Sequence, residues 1–584
     1  MRVPRRVTRA VASLALAMLA AAAASEPAAP PESAASALTI VDLQPFRTQA
    51  ALAVRRDDDA PGTATLVNLN PYVNSWFLLT LDWEAGGQSE SFHLENARRD
   101  QQLTLAAGPR GSVLVDFGDR SAACRLPFAT DAGSARALET AQRSGLPFAP
   151  LCDGRLYLRN PTVGRSSTLE KVTDFLRDHV WGGERVVTFV KKELYRDAFV
   201  EQGEPAPAAR GAATTLPLAP AAARIDPARA DLAVAPPHLG LAVDAPGAQL
   251  LLGRWYALRG LDDAYFSVLM PEAVERGLLY GHEASVNPLS AAESTALVYL
   301  VAFDLAKFDL HFTLGTDHPR LGWSPRPPPQ SRDPRLPGPD GIDSAAPLVI
   351  TGMVPPTDTA RTVAAFAGGF KREHGAFRFG PLAERNHGSH YGFVEQGVLF
   401  SKLQPGLATV YATTAGAVDM GTWTDADRGR MAGIRDARQN GVPLLEFDAR
   451  RGVGVPGPLV NLWGEGNWSG SANEDLRTVR AGLCLLQAGA RRHLVFAYFS
   501  SASPSAMARV FQAYGCRYAM HLDMNALEHT YFALYVSQDG QRVVEHLIDG
   551  MDVLDRHSGE QLAPRFLGFP DNRDFFYVTR RAAP

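Results

Sequence analysis

A chain of 584 residues, 46% of them hydrophobic, has the length for several domains and the apolar content to core them. Its formal net charge of -4 is small and dispersed, without a basic stripe, which argues against a nucleic-acid partner. Beyond the N-terminal segment no window is long and apolar enough to span a bilayer, so no integral membrane span is expected in the mature chain.

At the N-terminus, Arg2, Arg5, Arg6 and Arg9 precede an apolar stretch over residues 11–24, and small residues over 20–25 offer a cleavage site. That pattern reads as an export signal over residues 1–25 and implies a periplasmic or secreted protein. An uncleaved N-terminal anchor is the competing reading, although the run is short for a span. The four cysteines fall as two sequence-local pairs, Cys124 with Cys152 and Cys484 with Cys516. An oxidising compartment would favour those bridges, although four cysteines allow three pairings and buried free thiols are the alternative.

Residues 63–67, 76–83, 90–94 and 112–117 are short runs rich in β-branched and aromatic residues, separated by Asn, Asp, Gly and Pro. They predict a β-rich, sandwich-like N-terminal domain over residues 37–203, with a mixed α/β extension after residue 135. In that extension, residues 168–180 form an amphipathic helix with Leu169, Val172, Phe175 and Leu176 on one face. Residues 204–238 are dominated by Ala and Pro and read as a linker, too poor in large apolar residues to order itself. A second proline-rich run, 324–341, reads as a surface loop. From 239 to 584 strands and short helices alternate, which predicts an α+β or mixed α/β domain with a mixed central sheet.

The polar residues of that domain concentrate around one unit, residues 477–529. Residues 493–499 (HLVFAYF) have the composition of a buried strand. Ser503 and Pro504 begin a helix, Met507, Val510, Phe511 and Tyr514 share one face of it, and Gly515 closes it. Residues 517–523 alternate as a strand again, which suggests a parallel crossover with Asp523 at the C-terminal end of its second strand. His521, Asp523, Asn525, Glu528 and His529 crowd that end, and Arg477 opens the unit.

Two other stretches carry candidate chemistry. Residues 362–370 (TVAAFAGGF) end in Gly368-Gly369, a pair that lets the backbone turn and approach a ligand without a Cβ in the way. Residues 443–452 put Glu446 and Asp448 on one side of a strand, where two carboxylates are either an acid–base pair or only solvated. His387 and His390, with His521, Asp523 and His529, have the residue types of a metal site, but their spacing fits no signature. Gly452, Gly454 and Gly457 fit G-x-G-x-x-G, but Pro456 and Pro458 stop a helix from following. Neither a metal nor another cofactor is expected. Trp463, Glu465, Asn467 and Trp468 form an aromatic and polar loop suited to sugar faces or to anchoring itself.

The order of AGGF (367–370), a GFVEQGVLF hairpin (392–400), RT-x-x-AG from Arg477, and a helix leading to the Leu522-Asp523 pair resembles the phosphodiester glycosidase family over residues 239–555. The resemblance implies a hydrolase that cuts a sugar-1-phosphodiester bond. It implies Arg477 as a phosphate clamp, Asp523 as the catalytic aspartate, and Gly368 and Gly369 as the last positions of a glycine turn. The polar residues themselves add His529 as a further catalytic candidate and Asp448, His521, Asn525 and Glu528 as substrate-binding candidates. Ala367 stands where the family has asparagine, and Met524, Asn525, Ala526 and Leu527 replace its glycines and serine. Those changes imply a different substrate, a site rebuilt with Asn525, Glu528 and His529, or lost catalysis. The functional expectation is therefore an exported hydrolase of an envelope or extracellular glycan phosphodiester. The alternatives are a non-catalytic glycan- or protein-binding protein and a metal-dependent hydrolase.

Overall fold

The computed structural model describes residues 38–582 apart from 85–86, 109, 119–122, 129–135, 167–170, 172–198, 209–215, 217, 282–283, 318–332, 339–340, 343, 371–390, 463–475, 539 and 559–560. The signal-like segment, the 168–180 helix, His387, His390 and the tryptophan loop lie wholly or almost wholly outside the described residues.

Period-two burial builds the N-terminal region. β1 (Thr48–Arg55), β2 (Pro61–Asn68), β3 (Trp76–Trp83), β4 (Gln88–Asn96), β5 (Phe148–Leu151) and β6 (Leu156–Arg159) form an antiparallel sheet of order β1-β2-β3-β4-β6-β5, with Leu66, Phe77, Leu79 and Leu81 in a local core and Val67, Trp76 and Leu78 in the large core of the rest of the chain. A smaller sheet of Gln102–Ala106, Ser112–Asp116 and Cys124–Pro127 shares that local core, with Val113 and Val115 against Leu79, Leu81 and Phe92. Cys124 and Cys152 are bonded.

The strands that position the site are β7 (Leu261–Leu269), β8 (Val298–Asp304), β9 (Thr362–Ala367), β10 (Ile434–Gln439), β11 (Leu445–Asp448), β12 (Thr478–Ala488), β13 (Arg491–Ala502), β14 (Cys516–Met524) and β15 (Phe575–Arg580). A nine-stranded sheet runs β7-β8-β13-β12-β14-β11 through its centre, and all its ladders are antiparallel. Two five-stranded sheets, one containing β9 beside β15 and the other containing β10, are antiparallel too.

The protein is thus a β-rich fold, and the α+β or mixed α/β class with a mixed central sheet is overturned. The physical reason lies in β12 and β13, which are buried along almost their whole length. Central antiparallel strands covered on both faces read as continuous apolar runs, the same pattern that parallel strands produce. The unit at 477–529 shows the consequence. Helix Pro504–Ala513 does connect β13 to β14, but β12 lies between them, antiparallel to both. The two strands therefore run in the same direction without being neighbours. Ser503 caps the helix through Ala506 N, and Pro504 occupies its first turn. Gly482 lets the helix approach the sheet: a Cβ there would lie 2.9 Å from Met507 Cε.

The second bridge, Cys484 to Cys516, ties β12 to β14 across 32 positions. Closing a loop of that length stabilises the native state by about 4 kcal/mol. A Cys484→Ala, Cys516→Ala double variant is expected to lose that amount, read as a lower urea midpoint with a steeper slope, because the uncrosslinked unfolded chain exposes more surface. Two disulfides fit an oxidising setting, periplasmic or extracellular. No helix among the described residues is long and apolar enough to cross a membrane.

Leu38–Pro584 form one compact unit, and described residues of the 204–238 stretch take part in backbone pairing. Ala206–Pro207 pairs with Leu232–Val234, which pairs with Leu250–Leu251, and Arg224 N donates to Ala513 O. Ala233 and Val234 are buried there.

The N-terminal sheet meets the rest of the chain through a buried charge cluster. Arg159 donates to Glu95 at 2.5 Å, to Val349 O at 3.0 Å and to Thr351 Oγ1 at 3.1 Å, with Glu395 at 3.9 Å. Burial pushes Glu395 from 4.5 up to about 8, only partly offset by Arg159. The native state therefore keeps a proton that the unfolded chain releases, so this contribution to stability is full below pH 4.5 and is lost as pH rises through about 8. Thermal unfolding of Glu395→Gln, followed from pH 5 to 8, should show a shallower loss of stability than the wild type. An unchanged slope would exclude Glu395 as the titrating group.

Candidate functional site

The site assembles at the tip of β14. Opposite Met524 the pairing with β12 reaches Arg480, with a register shift before Gly482, so the strand is bulged where Asp523 sits. Asn525 then takes a left-handed φ of 81°, which asparagine tolerates, and its N donates to Val479 O.

Asp523 is 5% exposed. One oxygen accepts from Met524 N at 2.8 Å and the other from Arg573 Nη1 at 3.0 Å. The same guanidinium reaches His529 Nε2 at 2.8 Å through Nη2, while His529 Nδ1 lies 2.7 Å from Met524 O. These partners fix the imidazole. A carbonyl only accepts and a guanidinium only donates, so Nδ1 carries the proton and Nε2 offers its lone pair: His529 is neutral. Glu528 Oε1 stands 4.0 Å from Arg573 Nε.

Arg573 belongs to the Asp571-Asn572-Arg573-Asp574 turn that enters β15. Asp571 accepts from Arg573 N at 2.9 Å and grips Arg565 at 2.8 and 3.2 Å. Arg565 Nη1 in turn donates to Glu528 O at 2.9 Å, so two arginines hold the 525–530 turn. Asp574 faces the glycine pair. Gly368 N donates to Asp574 O at 2.8 Å, and a Cβ on Gly369, at φ 137°, would lie 2.8 Å from Asn440 Oδ1. Asn440 links the two halves of the site: its oxygen accepts from Phe370 N at 3.1 Å, and its nitrogen donates to His521 O at 2.7 Å and Leu522 O at 2.5 Å. Arg438, fully buried, donates to Phe370 O at 2.7 Å and to Asp574 Oδ2 at 3.2 Å.

The structure therefore brings together Asp523, Glu528 and His529, with Asn525 following Asp523 in the chain, while Gly368 and Gly369 lie against Asp574, Asn440 and Arg438. His521 is neighbouring but internal, between Arg480 Nη1 at 3.2 Å and the Phe370 ring at 4.9 Å. Burial holds its imidazole far below the ordinary range, and Arg480 pushes the same way. It braces the wall and is not placed to meet a ligand. Arg480 is itself spent on Ala502 O and Leu476 O, each at 2.6 Å, and burial pushes its guanidinium down to about 9. Arg477 lies half-buried just before β12, at the Asp523 end of the sheet.

Asp448 is a correction. Leu445 pairs with Ala519, so the antiparallel register carries Asp448 toward Cys516 while Asp523 lies the other way, roughly 23 Å along the strands. There Asp448 closes a turn by accepting from Arg450 N and Arg451 N. The sequence pattern did not point to Arg573, Asp574, Arg438 and Asn440. A signal existed: DNRD directly before the apolar FFYVTR strand, and R-Q-N at the end of β10, are polar clusters where a core strand would be apolar. Among the described residues no group of three metal-ligating side chains converges.

No protein-family model and no curated protein matches the chain. The crystal structure of a hypothetical protein from Synechocystis aligns with a TM-score of 0.24 at 10% identity, over 87% of this chain and 97% of that one. A likeness that distant carries no argument about fold or activity.

Proposed function

We propose that the chain is an exported hydrolase of the phosphodiester glycosidase type, cleaving a sugar-1-phosphodiester in an envelope or extracellular glycan. The supporting observation is the Asp523–Arg573–His529 arrangement at a strand tip, beside the Gly368-Gly369 turn. In this reading water adds to the anomeric carbon, the bond from that carbon to the phosphate oxygen breaks, and the water's proton passes to Asp523. A phosphate leaves as a stabilised anion, so the planar fork of Arg573, with Arg477 as the second candidate, meets charge that an ordinary glycosidase meets with an acid. Asp523 also opposes the positive charge that develops on the sugar ring.

The test is release of free sugar from a panel of nucleoside-diphosphate sugars and sugar-phosphate alkyl esters. Arg477→Ala is expected to lower the rate mainly through weaker phosphate binding, seen as a raised KM. A pure wild-type protein that cleaves no member of the panel would retire the hydrolase. A second reading, a glycan-binding protein without turnover, draws on Arg573 being committed to Asp523 and His529 and on side chains filling 524–527. Saturable retention of the same compounds, recovered unchanged, would favour it.

A further inference from the structure

A cleft of about 660 Å³ opens where the Val418–Thr422 strand of one five-stranded sheet faces β11, β12 and β14. That size is in the range of small-molecule sites. Tyr518 on its wall is five positions before Asp523 on β14, roughly 17 Å away, so the cleft is separate from the Asp523 tip.

Its chemistry is specific. Glu446 and Phe447 follow Leu445 on β11, and Arg517 and Tyr518 precede its partner Ala519 on β14. Thr422 donates its hydroxyl to Glu446 Oε1 and lies 3.0 Å from Tyr518 Oη. Thr422 has one hydroxyl proton, so Tyr518 must donate in turn, and the relay Tyr518 to Thr422 to Glu446 presents the carboxylate as a fixed acceptor. Arg517 lies with its guanidinium carbon 3.8 Å from the Phe447 ring centroid, and Phe447 is 39% exposed. Arg492 pairs with Asp419 at 2.8 Å. Two carboxylates against two guanidinium groups leave no net charge to select an anion or a cation. A ligand must instead supply alternating donors and acceptors, together with a flat C–H face for the stacked ring and guanidinium.

We infer that this cleft is a saccharide subsite, taking a neutral, hydroxyl-rich sugar ring. The assignment deepens the proposed function and rests on its reading of the substrate as a glycan conjugate: the sugar chain would be held here while its phosphodiester reacts at Asp523.

The test is isothermal titration of the full chain with neutral, phosphate-free di- to tetrasaccharides of hexose and N-acetylhexosamine. Saturable binding is expected, weakened at least tenfold by Glu446→Gln and by Arg517→Gln and unchanged by Asp523→Asn, with thermal unfolding confirming that each variant is folded. No binding, binding equal in the cleft variants, or binding lost in Asp523→Asn would overturn the subsite. Hydrolysis of a minimal sugar-1-phosphodiester is measured alongside. Hydrolysis without oligosaccharide binding removes the subsite alone, and binding without hydrolysis removes the hydrolase and leaves the subsite standing.

Discussion

Arg438→Met is expected to cost about 3–5 kcal/mol of stability, the usual penalty for removing one partner of a buried ion pair. Both Arg438 and Asp574 have wholly buried side chains. Burial lowers the Arg438 pKa, and Asp574 beside it pulls the other way. Without Arg438, Asp574 keeps the bond from Gly315 N at 3.1 Å but loses a buried guanidinium that holds its charge. Phe370 O and Asn440 Oδ1 each lose a donor as well. The measurement is the urea midpoint of the variant beside that of Arg438→Met with Asp574→Asn. Neutralising the Asp574 carboxylate as well should recover a large part of the loss. If the double variant is as unstable as the sum of the two single ones, the cost lies in packing and the ion-pair account is wrong.

That prediction concerns residues the sequence did not single out, for a physical reason. Asp523 was visible because its neighbours alternate with the period of a strand and stop at a polar tip. The helix at 504–513 was visible because a capping serine, a proline and a closing glycine are local signals. Both disulfides join cysteines that are near in sequence. Arg573, by contrast, lies 50 positions from the carboxylate it holds, and Asn440 lies 81 positions from the His521 carbonyl it braces. Nothing local in the chain encodes those contacts; closure of the sheets creates them. The same limit explains the fold class. An apolar run says that a strand is covered on both faces, and it does not say which way the neighbouring strand runs. His521 and Asp448 show a further confusion: alternation assigns a side chain to a face, while the bulge before Asp523 and the register at Leu445 decide where along the sheet that face is used.

Asp523→Asn is expected to abolish hydrolysis of any sugar-1-phosphodiester that the wild type cleaves, by roughly 10²- to 10⁴-fold in kcat, the range for a lost acid–base group. The substitution is nearly isosteric. An asparagine oxygen can still accept from Arg573 Nη1, with loss of the bond from Met524 N, so the Arg573–His529 contact should persist and the variant should fold. What disappears is the negative charge, and with it both the proton acceptor and the group opposing charge on the sugar. Arg573→Lys separates the two halves of the arrangement. A lysine is one compact charge, so it can face Asp523 but has no planar fork to reach His529 at the same time. If the fork also meets phosphate, Arg573→Lys raises KM as well as lowering kcat, whereas Asp523→Asn acts on kcat with KM little changed. A rate that survives Asp523→Asn would move the chemistry away from β14, and the strand tip would then be a braced corner of the fold.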